Sequence, residues 1–493
     1  MLQHRLLILQ TNMHWTPIVR LFGMLLMLYS PSFLPSIGLS LYYEDEQWPV
    51  FVLSLAVCLL AGLLTWFPVR DKSSEISVRE GYFVVSFFWI LLGAVSSLPF
   101  LLSLHLDFTD AMFESMSGFT GTGATVITGL DDLPRSLLYH RQQIQWLGGM
   151  GIIVLAVAVL PLLGIGGMQL YKAEASGVAK HEKITPRIAE TARSLWIIYV
   201  GLTIACALAY WGAGMQPFDA IGHSLSTIAT GGFSTHDASL AYYDSPLIET
   251  IAIVFMIAGG TNFALHFIAL RNRSLRTYSR DAEFRGYILI LLLTTILITI
   301  TLVGTGAHQT TGSALRTSVF QVVSVMTSTG FVTENFANWP LYAPLVMALI
   351  AYVGGCAGST SGGIKVLRII LLSKLGVRQL FQMAHPQAVS VIKLGRRSIP
   401  DELLFSIWGF YTLFIVTSLV LTLAMMGAGL DLVSAFGAVT ATITLVGPGL
   451  GDVAADFSNV NAAVKWLGIF GMLVGRLEVF TLLILFLPAY WRN

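Results

Sequence analysis

Asp110-AMFESMSGFTGT-Gly123 is a stretch that the chain repeats three more times, as Asp219-AIGHSLSTIATG-Gly232, Thr317-SVFQVVSVMTST-Gly330 and Ser434-AFGAVTATITLV-Gly447. Each copy opens on a residue of helix N-cap type, so the pattern predicts short helices capped by Asp110, Asp219, Thr317 and Ser434. Each closes on a glycine, in a Thr/Ser/Gly-rich stretch or, in the fourth copy, beside Leu445-Val446. The apolar run between is too short to cross a bilayer, which takes about 20 residues, and every copy lies between two long apolar segments. Helices that stop inside a membrane and hand over to irregular backbone are tolerated only beside protein or a water-filled path. Four such elements around one axis are how a cation filter is built.

Composition agrees with that setting. The chain has 493 residues, of which 55% are hydrophobic and 11% charged, with a mean hydropathy of +0.74. Soluble proteins carry about 25% charged residues, so this is a polytopic membrane protein. No polar linker divides it. Cys58, Cys206 and Cys356 lie in apolar or Gly-rich stretches and read as packing residues, with no disulfide or metal framework. The first 16 residues are not expected to be a cleavable signal, since no small-residue site follows Arg5 and Leu6 to Leu9.

Hydropathy predicts an all-α protein with ten membrane spans: 17–40, 49–68, 81–104, 143–164, 194–213, 247–270, 287–304, 341–375 (interrupted), 402–427 and 463–488. With the N-terminus inside, 23 of the 28 Lys and Arg fall on the inner face, as the positive-inside rule requires. Arg135, Arg141, Arg316 and Lys465 fall outside, and Arg476 lies within a span. Both termini are therefore expected in the cytoplasm. The outer loops are acidic, which would concentrate cations at the mouth.

The closing glycines are 109, 98 and 117 residues apart, and each is followed by a second glycine feature, Gly148-Gly149, Gly259-Gly260, Gly354-Gly355 and Gly475. The expected unit is span, short helix, filter strand, span, four times around a central pore, after two extra N-terminal spans. This divides the chain into 1–76, 77–185, 186–280, 281–395 and 396–493. A transporter with inverted repeats fits less well, because two-span units share one orientation. A helix of about ten residues rises about 15 Å, half the hydrocarbon thickness, and aims its partly negative C-terminal end at the membrane centre. Glycine then lets the backbone turn its carbonyls inward. The predicted cation-binding strands are Gly121-Thr122-Gly123, Thr230-Gly231-Gly232, Ser328-Thr329-Gly330 and Leu445-Val446-Gly447, and Gly449 is the alternative to Gly447 in the fourth.

These residues resemble the Trk/Ktr/HKT superfamily of potassium transporters, most closely the bacterial Trk-type uptake subunit, over nearly the whole chain. The resemblance implies one filter glycine per repeat, matching Gly123, Gly232, Gly330 and Gly447. Plant relatives with serine at the first position transport sodium, so Gly123 implies potassium. The family also implies a homodimer in the bacterial inner membrane and a peripheral nucleotide-binding (NAD/ATP) regulatory subunit. Met13-His14-Trp15 looks like the family's usual start, so residues 1–12 read as an extension.

Two further features lie within spans. Gly354, Gly355, Cys356, Ala357, Gly358, Ser359, Thr360, Ser361, Gly362 and Gly363 interrupt the eighth span, and Lys365 follows. One reading is a flexible gate beneath the filter, as the family implies; the other is helix packing along a Gly354/Gly358/Gly362 ladder. Arg476 is either a cation placed in the pathway as a barrier or a tether to another helix's carbonyls, and Glu478, two residues on, cannot be its local partner. The basic residues from Lys365 to Arg397 either dock an acidic regulator or satisfy the positive-inside rule. His105, His223 and His266 read as satisfied polar residues. The chain shows no nucleotide, zinc or nucleophile–base motif, so neither an enzyme nor a cofactor is expected, and potassium is the substrate. No nucleic-acid partner is expected. The competing functions are a sodium- or proton-coupled symporter of the same fold and a non-conducting membrane scaffold.

Overall fold

The computed structural model describes residues 13–71, 77–154, 188–388, 390–395 and 397–492. The expected extension 1–12, the end of the span 143–164, and Arg5, Lys72, Lys172, Lys180, Lys183, Arg187 and Arg396 lie outside the described residues.

The chain begins with α1 (Trp15–Tyr29), α2 (Leu34–Tyr43) and α3 (Trp48–Trp66). Gly23 of α1 and Gly62 of α3 bring the two helices together, since a Cβ at Gly23 would lie 2.7 Å from Trp66 N and one at Gly62 2.8 Å from Met27 Cγ. Next come α4 (Val78–Ser96), opened by a Ser77/Glu80 capping box, α5 (Phe108–Thr120), α6 (Arg135–Val154), α7 (Ile188–Gly212), α8 (Pro217–Ala229), α9 (Pro246–Gly259) and α10 (Phe263–Arg271). They are followed by α11 (Ala282–Gly304), α12 (Thr311–Met326), α13 (Ala343–Val353), α14 (Val366–Ala384), α15 (Asp401–Gly427), α16 (Leu432–Ile443), α17 (Ala462–Leu477) and α18 (Val479–Leu483). Between α14 and α15 the strands Lys393–Leu394 and Arg397–Ser398 pair antiparallel.

Among the described residues six helices are long and apolar enough to cross a membrane, or up to eight if each bent pair is one span. The chain is thus a largely helical, multi-pass membrane protein. Hydropathy treated 247–270 and 463–488 as unbroken, but the structure bends them by 96° between α9 and α10 and by 117° between α17 and α18. The first bend has a local cause: Gly259-Gly260 end α9, and the Asn262 side chain caps α10 by accepting from Ala264 N. At the second, Glu478 takes a φ of 61° and ends α17. The expected break in the eighth span is observed, with irregular backbone between Val353 and Val366.

The expected N-caps need correction. The caps of α5, α12 and α16 are Asp107, Thr310 and Asp431, each accepting from a backbone N–H of the first turn. Gln216 precedes α8 without a side-chain cap, and Pro217 opens that helix. Asp110 and Asp219 lie in the first turn instead, Ser434 follows its cap by three residues, and Thr317 is deeper in α12. A polar residue inside the first turn can bond elsewhere, and these do. Asp110 pairs with Lys465 at 2.5 Å, Asp219 accepts from Thr235 Oγ1 at 2.8 Å, and Ser434 Oγ accepts from Asp452 N at 2.9 Å.

The short helices form the centre of the molecule. Every residue from Ala111 to Thr120 is buried, as is every residue from Gly222 to Ala229. The second glycines of the repeat allow this packing. A Cβ at Gly148 would strike Phe119 O, one at Gly475 would strike Ile443 O, and one at Gly259 would lie 3.1 Å from Ile228 O. Cys58, Cys206 and Cys356 are buried and unpaired.

Candidate functional site

Each short helix ends in the same backbone path. The residue at the helix end takes a left-handed φ, in Gly121 (69°), Thr230 (51°), Ser328 (55°) and Leu445 (61°). Two residues on, a glycine does so again, in Gly123 (79°), Gly232 (79°), Gly330 (78°) and Gly447 (90°). Positive φ is open to glycine and costly for a bulky residue such as Leu445.

The four segments close on one another. A Cβ at Gly123 would meet Gly231 O, one at Gly232 Thr329 O, one at Gly330 Val446 O, and one at Gly447 Thr122 O, all under 3.0 Å. In every case the carbonyl belongs to the residue just before the next segment's glycine. The order is first to second to third to fourth and back to first, a closed ring of four quarters. Gly449 lies outside it, with its N–H bonded to Val453 O at 3.1 Å and its Cβ position facing Gly437 O.

Residues 354–365 and Arg476 form a floor under this ring. Thr230 Oγ1 donates to Thr360 Oγ1 at 3.1 Å in the second quarter, and Gly362 N donates to Ser328 Oγ at 2.6 Å in the third. A Cβ on Gly362 would strike Thr444 O and approach Leu445 Cβ at 2.9 Å in the fourth. Beneath the first, Arg476 Nη1 lies 3.8 Å from the position of a Gly121 Cβ. The loop is also tied to the first bend, through Cys356 N to Gly260 O at 2.8 Å and Phe263 N to Gly358 O at 3.1 Å. Ala357 N reaches Glu283 Oε1 at 2.6 Å, and Lys365 Nζ bonds Ser361 O.

Two expectations change here. Residues 354–363 are not helical, so the small-residue ladder does not exist as a helix face. The segment is anchored on several sides: Thr360 alone touches Thr230, Ile228, Gly259 and Arg476. Arg476 is 4% exposed and spends two donors on carbonyls, Nη1 to Thr360 O at 2.8 Å and Nη2 to Gly148 O at 2.9 Å. These bonds tie it to the floor segment and to α6. Glu478 pairs with Arg368 Nη2 at 2.7 Å and not with Arg476. Arg368 is 2% exposed and stacks on Phe410 at 4.1 Å, so it is an internal joint between α14 and the second bend and does not belong to a cytoplasmic docking surface. Arg378 is paired as well, with Asp401 at 2.6 Å.

Sequence reasoning named His223 but did not relate it to Glu114, Gln321 and Ala438, which hold the same fifth position in the other copies. In three of the four a polar side chain reaches the strand that leaves the ring. Glu114 Oε2 accepts from Thr125 Oγ1 (2.9 Å) and Val126 N (3.0 Å). His223 donates from Nδ1 to Asp219 O (2.8 Å), which leaves Nε2 to accept from Ser234 Oγ (2.9 Å). Gln321 Nε2 donates to Glu334 O at 2.8 Å. The signal was a polar residue recurring in register within an otherwise apolar stretch. Arg141, taken from sequence as an outer-loop base, pairs with Glu114 at 2.8 Å with side chains 1% and 0% exposed. Gln145, also on α6, donates to Gly231 O at 2.5 Å and accepts from Phe233 N at 3.1 Å.

The outer acids are largely occupied. Arg316 pairs with Glu249 at 2.8 Å and Asp244 at 3.1 Å. Asp237 accepts from Gly129 N and Leu130 N at 3.1 and 2.9 Å, tying the loops above the first two quarters together. The hydrogen bond from His236, 2.5 Å from Asp131 Oδ1, holds the Asp131 carboxyl below the usual carboxylate range.

Residues 47–493 match a family model described as TrkH, cation transport protein. The chain is 50% identical to the Trk system potassium uptake protein TrkH of Salmonella typhimurium over 483 residues, 98% of this chain and 100% of that one. It is also 50% identical to the protein of that name in Escherichia coli over 486 residues, with the same shares. Among solved structures it resembles the potassium transporter TrkH from Vibrio parahaemolyticus, with a TM-score of 0.90 and 46% identity over 97% of this chain and 100% of that chain.

Proposed function

Because the chain belongs to the TrkH family of cation transport proteins, we propose that it takes up potassium through the ring of Gly123, Gly232, Gly330 and Gly447. The observation that carries this is the ring's closure: four glycines of positive φ, each against the carbonyl that precedes the next. Left-handed residues two apart let the backbone turn carbonyls inward, and stacked carbonyl rings replace a cation's water shell. The buried short helices add partial negative charge from their C-terminal ends. Likeness to proteins named for potassium uptake favours this ion. The chain itself supplies no cofactor; potassium is its substrate.

In this reading α5, α8, α12 and α16 are pore helices, ten spans place both termini in the cytoplasm, and the membrane is the bacterial inner membrane. Residues 354–363 with Lys365 are the gate, which the floor contacts of Thr360 and Gly362 support. The protein works as a homodimer with a cytosolic nucleotide-binding subunit, in keeping with relatives named as members of a Trk system.

Flux in liposomes tests the reading, comparing K+, Rb+, Na+ and Li+ with a proton gradient imposed or removed. K+ and Rb+ flux well above Na+ is expected; equal Na+ flux, or none at all, sinks it. Flux that requires the proton gradient identifies a symporter. Arg476→Ala in the same preparation is expected to raise K+ flux and to lower the thermal unfolding midpoint, because one change removes a cation beneath the ring and frees Thr360 O and Gly148 O. A lower midpoint with unchanged flux would make Arg476 a tether alone.

A further inference from the structure

The ring can favour a larger cation only if its quarters resist closing on a smaller one, so whatever holds neighbouring quarters apart bears on selectivity. The bonds made by His223 and Gln321 stay within one quarter. Arg141 acts across two. From α6 its Nε donates to Glu114 Oε1 on α5 at 2.8 Å, and its Nη2 donates to Thr125 Oγ1 in the strand leaving the first quarter at 3.2 Å. Its Nη1 donates to Ser234 O in the strand leaving the second quarter at 3.3 Å, and its Cζ sits 4.2 Å over the Phe233 ring. Glu114 completes the frame by accepting from Val126 N at 3.0 Å. The planar guanidinium has a fixed fork of donors, so bonds to three elements set their relative positions, which a flexible ammonium could not do. At 0% and 1% exposure neither charge is screened by water.

Among the described residues, the hydrogen bonds of His223 and Gln321 at the matching position stay within their own quarters. The fifth position weakens around the ring from the Glu114 carboxylate to the His223 imidazole, the Gln321 amide and the Ala438 methyl. Beyond the fourth glycine the strand is held by backbone, through Gly449 N to Val453 O at 3.1 Å, and by its neighbour, through Phe457 N to Thr125 O at 2.8 Å. That last bond ends on Thr125, the residue already gripped by Glu114 and Arg141, so the first strand also anchors the outer segment of the fourth repeat.

We propose that the buried Glu114–Arg141 pair is a specificity-determining brace that sets the spacing of the first two quarters of the ring, with Thr125 as the hydroxyl that passes its hold to the strand. It touches no permeating ion and acts by positioning. The inference rests on the potassium reading of the ring. A buried ion pair is weak evidence for stability and is better attested as a device for conformational specificity. That distinction makes the proposal testable.

The full-length protein is reconstituted, and its K+/Na+ flux ratio is measured alongside its thermal unfolding midpoint in detergent. Three variants are compared with the native chain: Thr125→Val, which removes the shared hydroxyl; Thr125→Ser, which keeps it; and the double change Glu114→Gln with Arg141→Met, which removes both charges so that neither is left unpaired. In Thr125→Val the ratio is expected to fall by about tenfold, the equivalent of one hydrogen bond to a charged group, while the protein stays folded and K+ flux persists. Thr125→Ser should retain the ratio, and the double variant should lose it. Variants that fold and keep the native ratio overturn the brace, as do variants that unfold before discrimination is lost, since the pair would then be structural only. A native ratio near one is a separate outcome: it refutes the potassium reading itself, irrespective of the variants.

Discussion

Gly123→Ser is expected to bring the K+/Na+ flux ratio of the reconstituted protein close to one. Two penalties coincide at this position. A φ of 79° disfavours any side chain, by roughly 1–2 kcal/mol. The new Cβ would also meet Gly231 O and come within 3.3 Å of Gly231 C, both in the neighbouring quarter. Overpacking of this kind costs about 1–3 kcal/mol, and backbone is what must move to relieve it. The displaced atom is itself a ring carbonyl, so the damage falls on ion coordination. Gly129→Ser is the control. Its φ of 75° imposes the same local strain, but nothing lies within 4 Å of its Cβ position. It should leave the ratio unchanged while costing a similar amount of backbone energy. A Gly123→Ser protein that keeps full potassium preference would show that the ring is not the filter.

Removing Ala357 to Ser361 is expected to give K+ flux several-fold above native and insensitive to the regulatory subunit. The deletion takes away Thr360 with its bonds to Thr230, Ile228, Gly259 and Arg476. It also shortens the reach to Gly362, whose N–H is bonded to Ser328 beneath the third quarter. Each hydrogen bond is worth only about 0.5–1.5 kcal/mol net, so the native floor is held by many weak ties and a partner that shifts a few could open it. Thr360→Val, which cuts the hydroxyl bonds alone, should fall between the native protein and the deletion. The measurement is flux with and without the partner. A deletion variant that is silent, or still fully responsive, places the gate elsewhere.

How much of this was legible differs from element to element. The four glycines and the broken eighth span could be read directly, since a run such as Gly354-Gly355-Cys356-Ala357-Gly358 cannot sustain a helix. The helix starts could not. Asp107 and Asp110 are both good caps, and only the extended φ and ψ of Asp107 (−67°, 165°) decide between them. The bends after Gly259 and Leu477 escaped hydropathy because composition is blind to direction, although Gly259-Gly260 followed by Asn262 carried a stop-and-start signal. Arg368 read as one more cytoplasmic base and is buried against Glu478, because charge counting follows loops and cannot tell which base turns inward.

By itself, then, the sequence determined what depends on a few adjacent residues: helix lengths from apolar runs, chain reversals from glycine, and a fourfold period that demands four equivalent quarters. Only the tertiary structure decided which carbonyl faces which glycine, that Gly447 and not Gly449 joins the ring, and that Arg476 bonds Thr360 O and Gly148 O. The physical reason is distance along the chain. Gly148 and Arg476 are 328 positions apart, and a guanidinium meets water or a carbonyl according to what the rest of the fold leaves beside it.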